Sequence, residues 1–207
     1  DIDPETGLLL VTRPVFGGNA LATVRIKNVR PQMATVRPKT MKPAEKDASR
    51  QGQVIRMVAE VDSSTLKVQV IERVEEKVEG VKLEDAEVVV SGGRGIGSLQ
   101  NYEMIWELAR LLGGAVGATR PVCEEGWIPM LHQVGQTGKM VSPKLYIAVA
   151  LSGAMQHISG CTGSKCIVAI NQDPEANIFK VANYGVVGDY KEILPAFMAK
   201  LKELLGQ

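Results

Sequence analysis

The chain has 207 residues, of which 24 are Lys or Arg and 23 are Asp or Glu, so its formal charge at pH 7 is +1. Because positive and negative charges nearly cancel, the chain has no general attraction to nucleic acid or to an anionic membrane. Aromatic residues, at 4%, are too few for base-stacking platforms. No apolar run approaches the roughly 20 residues of a membrane span, so direct membrane insertion is not expected. Three cysteines without a CxxC pair favour a reducing compartment and argue against a disulfide or zinc framework.

The first 80 residues contain short stretches rich in Val, Ile and Thr, separated by turn and linker signals such as "FGGN" and "KPAEKDASRQG". These stretches predict strands in "GLLLVTRPVF", "NALATVRI", "MATVRP", "GQVIRMVAEV" and "LKVQVIERV". The sequence begins with Asp1 and runs almost at once into apolar residues. This start is expected of a processed chain or of a fragment. A β-only region of this size is a poor domain by itself, so we expect residues 1–80 to be the β-rich part of a truncated domain plus a linker. The charged stretch "EEKVEGVKLED" predicts the boundary with a second domain, residues 81–207.

Residues 81–207 alternate between apolar runs and segments of helical spacing. Strands are predicted in "AEVVV", "AVGA", "LYIAVAL", "CIVAI" and "VANYGVV", and the longest helices in "NYEMIWELARLLGG" and "GDYKEILPAFMAKLKELLG". Continuous apolar runs separated by helices are typical of a parallel sheet that is covered on both faces. The predicted fold is therefore α/β, with a doubly wound, Rossmann-like parallel sheet.

A glycine or a polar residue follows each of these apolar runs. In a doubly wound sheet these positions are the carboxyl ends of the strands, where ligands bind. The sequence therefore predicts one polar rim, which suits a phosphate-bearing ligand with a sugar and a polar ring. The rim comprises Arg94, Thr119, Arg120, the segment 152–157, Asn171 and Asp189.

Two glycine-rich motifs at this rim fall short of familiar patterns. "SGGRGIGS" fails the GxGxxG fingerprint, because the third glycine position holds Ser98 or Gln100. It is equally consistent with a plain loop and with a phosphate contact by its backbone and Arg94. "VGQTGKM" fails the P-loop pattern at Gln133 and Met140, which argues against nucleoside triphosphate hydrolysis.

The stretch "SGAMQH" is the most informative. Gly153 allows a sharp turn, Ser152 is expected to cap the next helix, and the helix N-terminus would attract an anion. His157 lies one turn inside that helix, where a purely structural histidine is the simpler alternative. Asp189 has a similar alternative as the N-cap of the last helix.

The ordered motifs "VVVSGGRG", "GATRP", "QVGQTGKMVSPKLYIAVALSGAMQH" and "IVAINQDPEANIFKVANYGVVGD" strongly resemble the FAD-binding domain of the electron transfer flavoprotein α subunit. The resemblance covers residues 84–207 and extends more weakly into "TRPVFGGNALATV". It implies an FAD-binding electron carrier, not a substrate-converting enzyme, that works through one-electron flavin states. The two alternatives are an NAD(P)-dependent oxidoreductase and a nucleotide-binding module on the same fold.

The resemblance also implies partners and a location. It implies a β subunit, dehydrogenases such as the acyl-CoA dehydrogenase of fatty acid β-oxidation, and a downstream redox acceptor. The expected location is the cytoplasm of a bacterium, or the mitochondrial matrix of a eukaryote. Truncation of the first domain is expected to weaken association with the β subunit.

Finally, the resemblance implies a role for each site residue. A reduced flavin carries negative charge near N1 and C2=O, so that a cation or a strong donor there would tune its potential. The implied contacts are Arg94, Thr119 and Ser152 at the pyrophosphate, Arg120 over the isoalloxazine, Thr137 at N5, His157 at N1–C2=O, Val134, Gly135 and Gln136 along the flavin, Gly153, Ala154, Met155 and Gln156 in the turn around it, and Asn171, Asp189 and Tyr190 at the adenosine.

Overall fold

The computed structural model describes residues 1–16, 20–36, 41, 44–58, 64, 66–73 and 80–206. In these residues the strands form two separate sheets, one antiparallel and one parallel. The strands are β1 (Leu10–Val15), β2 (Ala20–Arg25), β3 (Val88–Gly92), β4 (Ala115–Ala118), β5 (Leu145–Val149), β6 (Ile167–Asn171) and β7 (Tyr184–Val187). The α-helices are α1 (Glu103–Leu111), α2 (Arg120–Glu124), α3 (Met155–Cys161) and α4 (Tyr190–Leu205).

The five strands β3 to β7 form an all-parallel sheet in the order β4-β3-β5-β6-β7. Side chains of β3 alternate between two hydrophobic clusters, one on each face of the sheet. Val90 packs in the cluster that contains residues of α1 and α4, whereas Val89 packs with residues of β5 and α3. The prediction of a doubly wound α/β sheet with helices on both faces is confirmed.

The strand order reverses beside β3. The chain passes from β3 to β4 on one side and then crosses to β5 on the other side of β3. The loops that leave the carboxyl ends of β3 and β5 therefore run in opposite directions and open a crevice between them, which is where doubly wound sheets bind ligands.

The N-terminal region forms fewer strands than expected. Strands β1 and β2 lie within two of the predicted stretches, and they pair antiparallel, with Val11 opposite Val24. The predicted strands are wrong for the described residues 33–36, 52–58 and 66–73, which lie outside any sheet. Their side chains lie in solvent; Val54 is 84% exposed and Ile71 is 97% exposed. A β-rich composition is insufficient here, because an isolated strand leaves its backbone groups and one apolar face without partners.

In the part of the chain that the structure describes, no helix combines the length and the apolarity needed to cross a membrane. The division into residues 1–80 and 81–207 stays a prediction.

Candidate functional site

A cleft of about 610 Å³ lies at the carboxyl ends of β3, β4, β5 and β6, at the point where the strand order reverses. This volume is within the range of about 300–1,000 Å³ that is usual for ligand pockets. The cleft is lined by residues 93–95, 119–121, 133–137, 150–154, 156, 157, 171, 173 and 176. Apart from Met155, Asp189 and Tyr190, all of the sequence-predicted site residues therefore lie around one cavity.

Two glycines allow the loops of the cleft to approach each other closely. A Cβ at Gly93 would overlap the Ala150 carbonyl oxygen and the Leu151 Cα, so that only glycine fits between the β3 and β5 loops. Gly153 has a φ of +79°, and a Cβ there would overlap the Ile178 backbone nitrogen. The turn in "SGAMQH" thus needs glycine for its backbone conformation and for space.

Asn171 at the end of β6 ties together two walls of the cleft. Its Nδ2 donates to the Leu151 carbonyl at 2.8 Å, and its Oδ1 accepts from the Asp173 backbone N–H at 3.0 Å. Next to Leu151, Ala150 adopts a φ of +50°, which is unusual for a residue with a Cβ. The β5 loop is therefore held in a strained conformation by its neighbours.

His157 forms the inner wall of the cleft and is only 5% exposed. Its Nε2 lies 2.8 Å from the Tyr146 hydroxyl oxygen, and its Nδ1 is buried without a hydrogen-bond partner among the described residues. Burial lowers the pKa of His157 to about 4. The nearby Val134 carbonyl opposes this shift, but it forms no hydrogen bond with Nδ1. The imidazole is therefore neutral at pH 7.

Gln133 and Thr137 line the same side of the cleft. The Gln133 Nε2 donates to the Thr137 Oγ1 at 3.0 Å, which leaves the Thr137 hydroxyl proton available for an acceptor in the cleft. The Gln133 Oε1, like the His157 Nδ1, is buried with no partner in the described part of the chain. Buried polar atoms are rarely left unpaired, and both of these atoms belong to side chains that line the cleft.

The two arginines at the cleft differ in how they are engaged. The Arg120 Nε donates to the Glu124 carboxylate at 2.7 Å, one turn along α2. Arg94 is exposed in the loop after β3, and none of the described residues forms an ion pair with it. Arg94 is thus the cation that is available to an anionic group in the cleft.

The three predicted site residues outside the cleft lining have structural contacts of their own. Asp189 caps α4, its Oδ1 accepting from the Lys191 N–H at 2.9 Å, as the N-cap alternative predicts. The buried Tyr190 hydroxyl donates to the Ile96 carbonyl at 2.6 Å, and Met155 is half-exposed at the start of α3. The expectation that Ser152 caps α3 is wrong, because the helix begins two residues later than expected and Ala154 occupies the N-cap.

Several lining residues were not predicted from the sequence. In the sequence Gln133 stands out only as a mismatch to the P-loop pattern, although its place beside "VGQTG" is a usable signal. Asp173 follows β6 within the acid-containing "NQDPEAN", which was also readable as a rim position. The other unpredicted lining residues are Gly93, Gly95, Pro121, Ala150, Leu151 and Ala176.

Comparison with known proteins decides the family. Residues 82–162 match the electron transfer flavoprotein FAD-binding domain, and residues 1–62 match the electron transfer flavoprotein domain. The chain belongs to the electron transfer flavoprotein family. The domain that contains the cleft is accordingly an FAD-binding domain, and the matches give no support to a nicotinamide cofactor.

Relatives from distant organisms agree with this assignment. The chain is 50% identical over 204 residues to the electron transfer flavoprotein subunit alpha of Thermoanaerobacterium thermosaccharolyticum. The aligned region covers 99% of the chain and 62% of that protein. It is 45% identical over 206 residues to the protein FixB of Clostridium saccharobutylicum (100% and 61%). It is 41% identical over 215 residues to the mitochondrial subunit alpha of Arabidopsis thaliana (98% and 59%). The chain thus spans about three fifths of the length of these relatives.

The cleft residues fit FAD. Gln133 and His157 line the cleft, and each has a buried polar atom that lacks a partner among the described residues. Arg94 offers a cation to the pyrophosphate, and the backbone of the glycine-rich β3 loop is at hand on the same wall.

Proposed function

We propose that the chain is the FAD-binding part of an electron carrier, the α subunit of an electron transfer flavoprotein. The observation that carries the proposal is the cleft at the reversal of strand order, because it lies in a region that matches the family's FAD-binding domain. Two side chains that line the cleft each have a buried polar atom without a partner in the described structure. FAD supplies one-electron transfer chemistry when it is bound.

The residues of the chain would then bind and orient the flavin. Arg94, with Thr119 and Ser152 nearby, would hold the pyrophosphate, and Arg120 would reach the ring only by leaving Glu124. Thr137 would donate its hydroxyl proton to the flavin N5 edge, because its oxygen already accepts from Gln133. The neutral His157 would act as a hydrogen-bond donor toward N1–C2=O. The backbone turns 134–136 and 153–156 would enclose the ring, and Asn171 would shape the wall on the adenosine side.

The proposed role is to carry electrons between proteins without converting a substrate. The relatives are named electron transfer flavoprotein subunit alpha, which supports a β subunit as partner. Dehydrogenases would supply the electrons, and a redox acceptor would receive them. The three cysteines are unpaired, in keeping with a reducing compartment such as a bacterial cytoplasm or a mitochondrial matrix. Mixing the chain with a β subunit and measuring complex formation by light scattering tests the partner.

The cofactor is tested by the absorption spectrum of the purified chain and by chromatography of the molecule released on heating. FAD released in a ratio near one per chain supports the proposal. A chain that releases no flavin and also fails to take up added FAD would overturn it.

The phosphate contact is tested by substitution of Arg94. We expect Arg94→Ala to weaken FAD retention about tenfold or more, because a charge-assisted hydrogen bond contributes roughly 1.5–3 kcal/mol. The flavin potential should change little, because the contact is the same in both oxidation states. Arg110→Ala is the matched control, since Arg110 is an exposed arginine that pairs with Glu103 on α1, away from the cleft.

A further inference from the structure

His157 has one ring nitrogen committed to a buried neighbour and one left over. Its Nε2 lies 2.8 Å from the hydroxyl of Tyr146 on β5, and the two rings sit 6.1 Å apart between their centroids. Tyr146 is fully buried, and burial raises the pKa of its hydroxyl, so the group stays a phenol with one proton to donate.

Ser91 on β3 stands behind this pair. Its Oγ is buried without a hydrogen-bond partner in the described structure, yet it lies close enough to the Tyr146 hydroxyl to oppose the rise in that group's pKa. Ser91, Tyr146 and His157 therefore lie in a short polar row between the sheet and the cleft.

Two proton arrangements are open to this row. In the first, Tyr146 donates to Nε2, and His157 carries its proton on Nδ1, on the side of the Val134 carbonyl. In the second, Nε2 donates to the Tyr146 oxygen, which leaves the buried Tyr146 proton without an acceptor in the described structure and sets the Nδ1 lone pair against the Val134 carbonyl oxygen. The first arrangement satisfies more buried groups, so it is favoured.

We propose that Tyr146 is a positioning residue that holds His157, whose ring lines the cleft, in the Nδ1–H tautomer. The tautomer belongs to the chain itself. Its consequence for a flavin rests on the proposed function: a donor at this position stabilises negative charge that develops on the ring during reduction.

Nitrogen NMR of the chain tests the tautomer directly, because protonated and unprotonated imidazole nitrogens have well-separated shifts. The chain has two histidines, and His132 provides the reference. Its Nδ1 lies 2.8 Å from the Val116 carbonyl, which only accepts, so His132 is held in the Nδ1–H form. We expect His157 to show the same pattern as His132; an Nε2–H pattern would overturn the proposal.

Substitution then tests the role of Tyr146. In Tyr146→Phe the nitrogen shifts of His157 should move toward an average of both tautomers, while those of His132 stay. Tyr102→Phe is the matched control, since it also removes a buried hydroxyl, which donates to the Gly117 carbonyl at 2.7 Å on the other face of the sheet. Ser91→Ala should move the nitrogen shifts of His157 in the same direction, and it replaces Tyr146→Phe in the test if that variant does not fold. Unchanged His157 shifts in the folded variants would refute the positioning role.

In the FAD-loaded chain we expect Tyr146→Phe to lose about twofold in its preference for the one-electron reduced flavin, because the donor tautomer stays about half populated; this is a fall of about 18 mV in the first reduction potential. Tyr102→Phe should leave that potential unchanged. An altered tautomer with an unchanged potential would reject the flavin part of the proposal. If the chain binds no FAD, the proposed function fails while the NMR result still decides the tautomer.

Discussion

Burial of a neutral histidine makes the stability of the fold depend on pH. His157 has a folded pKa of about 4, against about 6.5 for an unperturbed histidine, because its ring is removed from water. Between pH 6.5 and pH 4 the histidine is therefore protonated in the unfolded chain but neutral in the folded chain. Stability is complete above pH 6.5 and is lost as the pH falls toward 4.

The size of the effect follows from the shift. One pKa unit corresponds to 1.36 kcal/mol, so that protonation of His157 destabilises the fold by about 3 kcal/mol once the pH lies below both values. Domains of this kind are stable by only about 5–15 kcal/mol, so the loss is measurable. Carboxylates also titrate in this range, but they are common to the parent and to a variant and cancel in the difference.

We therefore expect His157→Gln to remove this part of the acid sensitivity. The free energy of unfolding, measured by urea titration at several pH values from 7 to 4, should fall less steeply in the variant. The difference in the free energy of unfolding between variant and parent should shift by about 3 kcal/mol in favour of the variant from pH 7 to pH 4. A difference between parent and variant that stays constant across this range would refute the assignment of a neutral, buried imidazole.

Three further predictions concern the backbone. Ala150→Gly should raise the free energy of unfolding by up to about 1 kcal/mol in the same urea assay, because glycine adopts the positive φ of that position without strain; a loss of stability would contradict this. Gly153→Ala should reduce both stability and FAD retention, whereas Gly113→Ala, also at positive φ but with nothing within 4 Å of the new Cβ, should cost only about 1 kcal/mol and leave retention intact; equal losses would show that φ alone matters. Limited proteolysis should cut first within the exposed residues 44–58 and spare 81–206, and early cuts inside the parallel sheet would count against the two-part division.

The parallel sheet was predictable because both faces of each strand are covered. Continuous apolar runs such as the one around Tyr146 are typical of such strands, and the polar residues that follow them must meet at one edge. The N-terminal strands were less predictable. Residues 52–58 have a strand-like composition, but pairing depends on a neighbouring strand that composition does not reveal.

Polar partnerships across the cleft were the part that sequence reasoning missed. Tyr146 looked like one more apolar residue of a buried strand, and its hydroxyl meets His157 only because β5 and α3 pack together. By contrast, the pairing of Arg120 with Glu124 follows the four-residue spacing of a helix and was readable in advance. Pairs within one helix follow from spacing, whereas pairs between elements require the packed fold.

Burial also changes how His157 could tune a flavin. The sequence suggested either a charge or a donor at this position, and the low pKa removes the charge at physiological pH. The oxidised flavin ring is uncharged, so its binding deepens the burial of the imidazole and adds no anion to hold a proton there. We therefore expect no titration of His157 between pH 8 and 5.5 in the oxidised, FAD-loaded chain, as followed by its nitrogen shifts. A titration in that range would mean that the bound cofactor supplies a negative charge near the ring, and the histidine would then act as a cation rather than as a neutral donor.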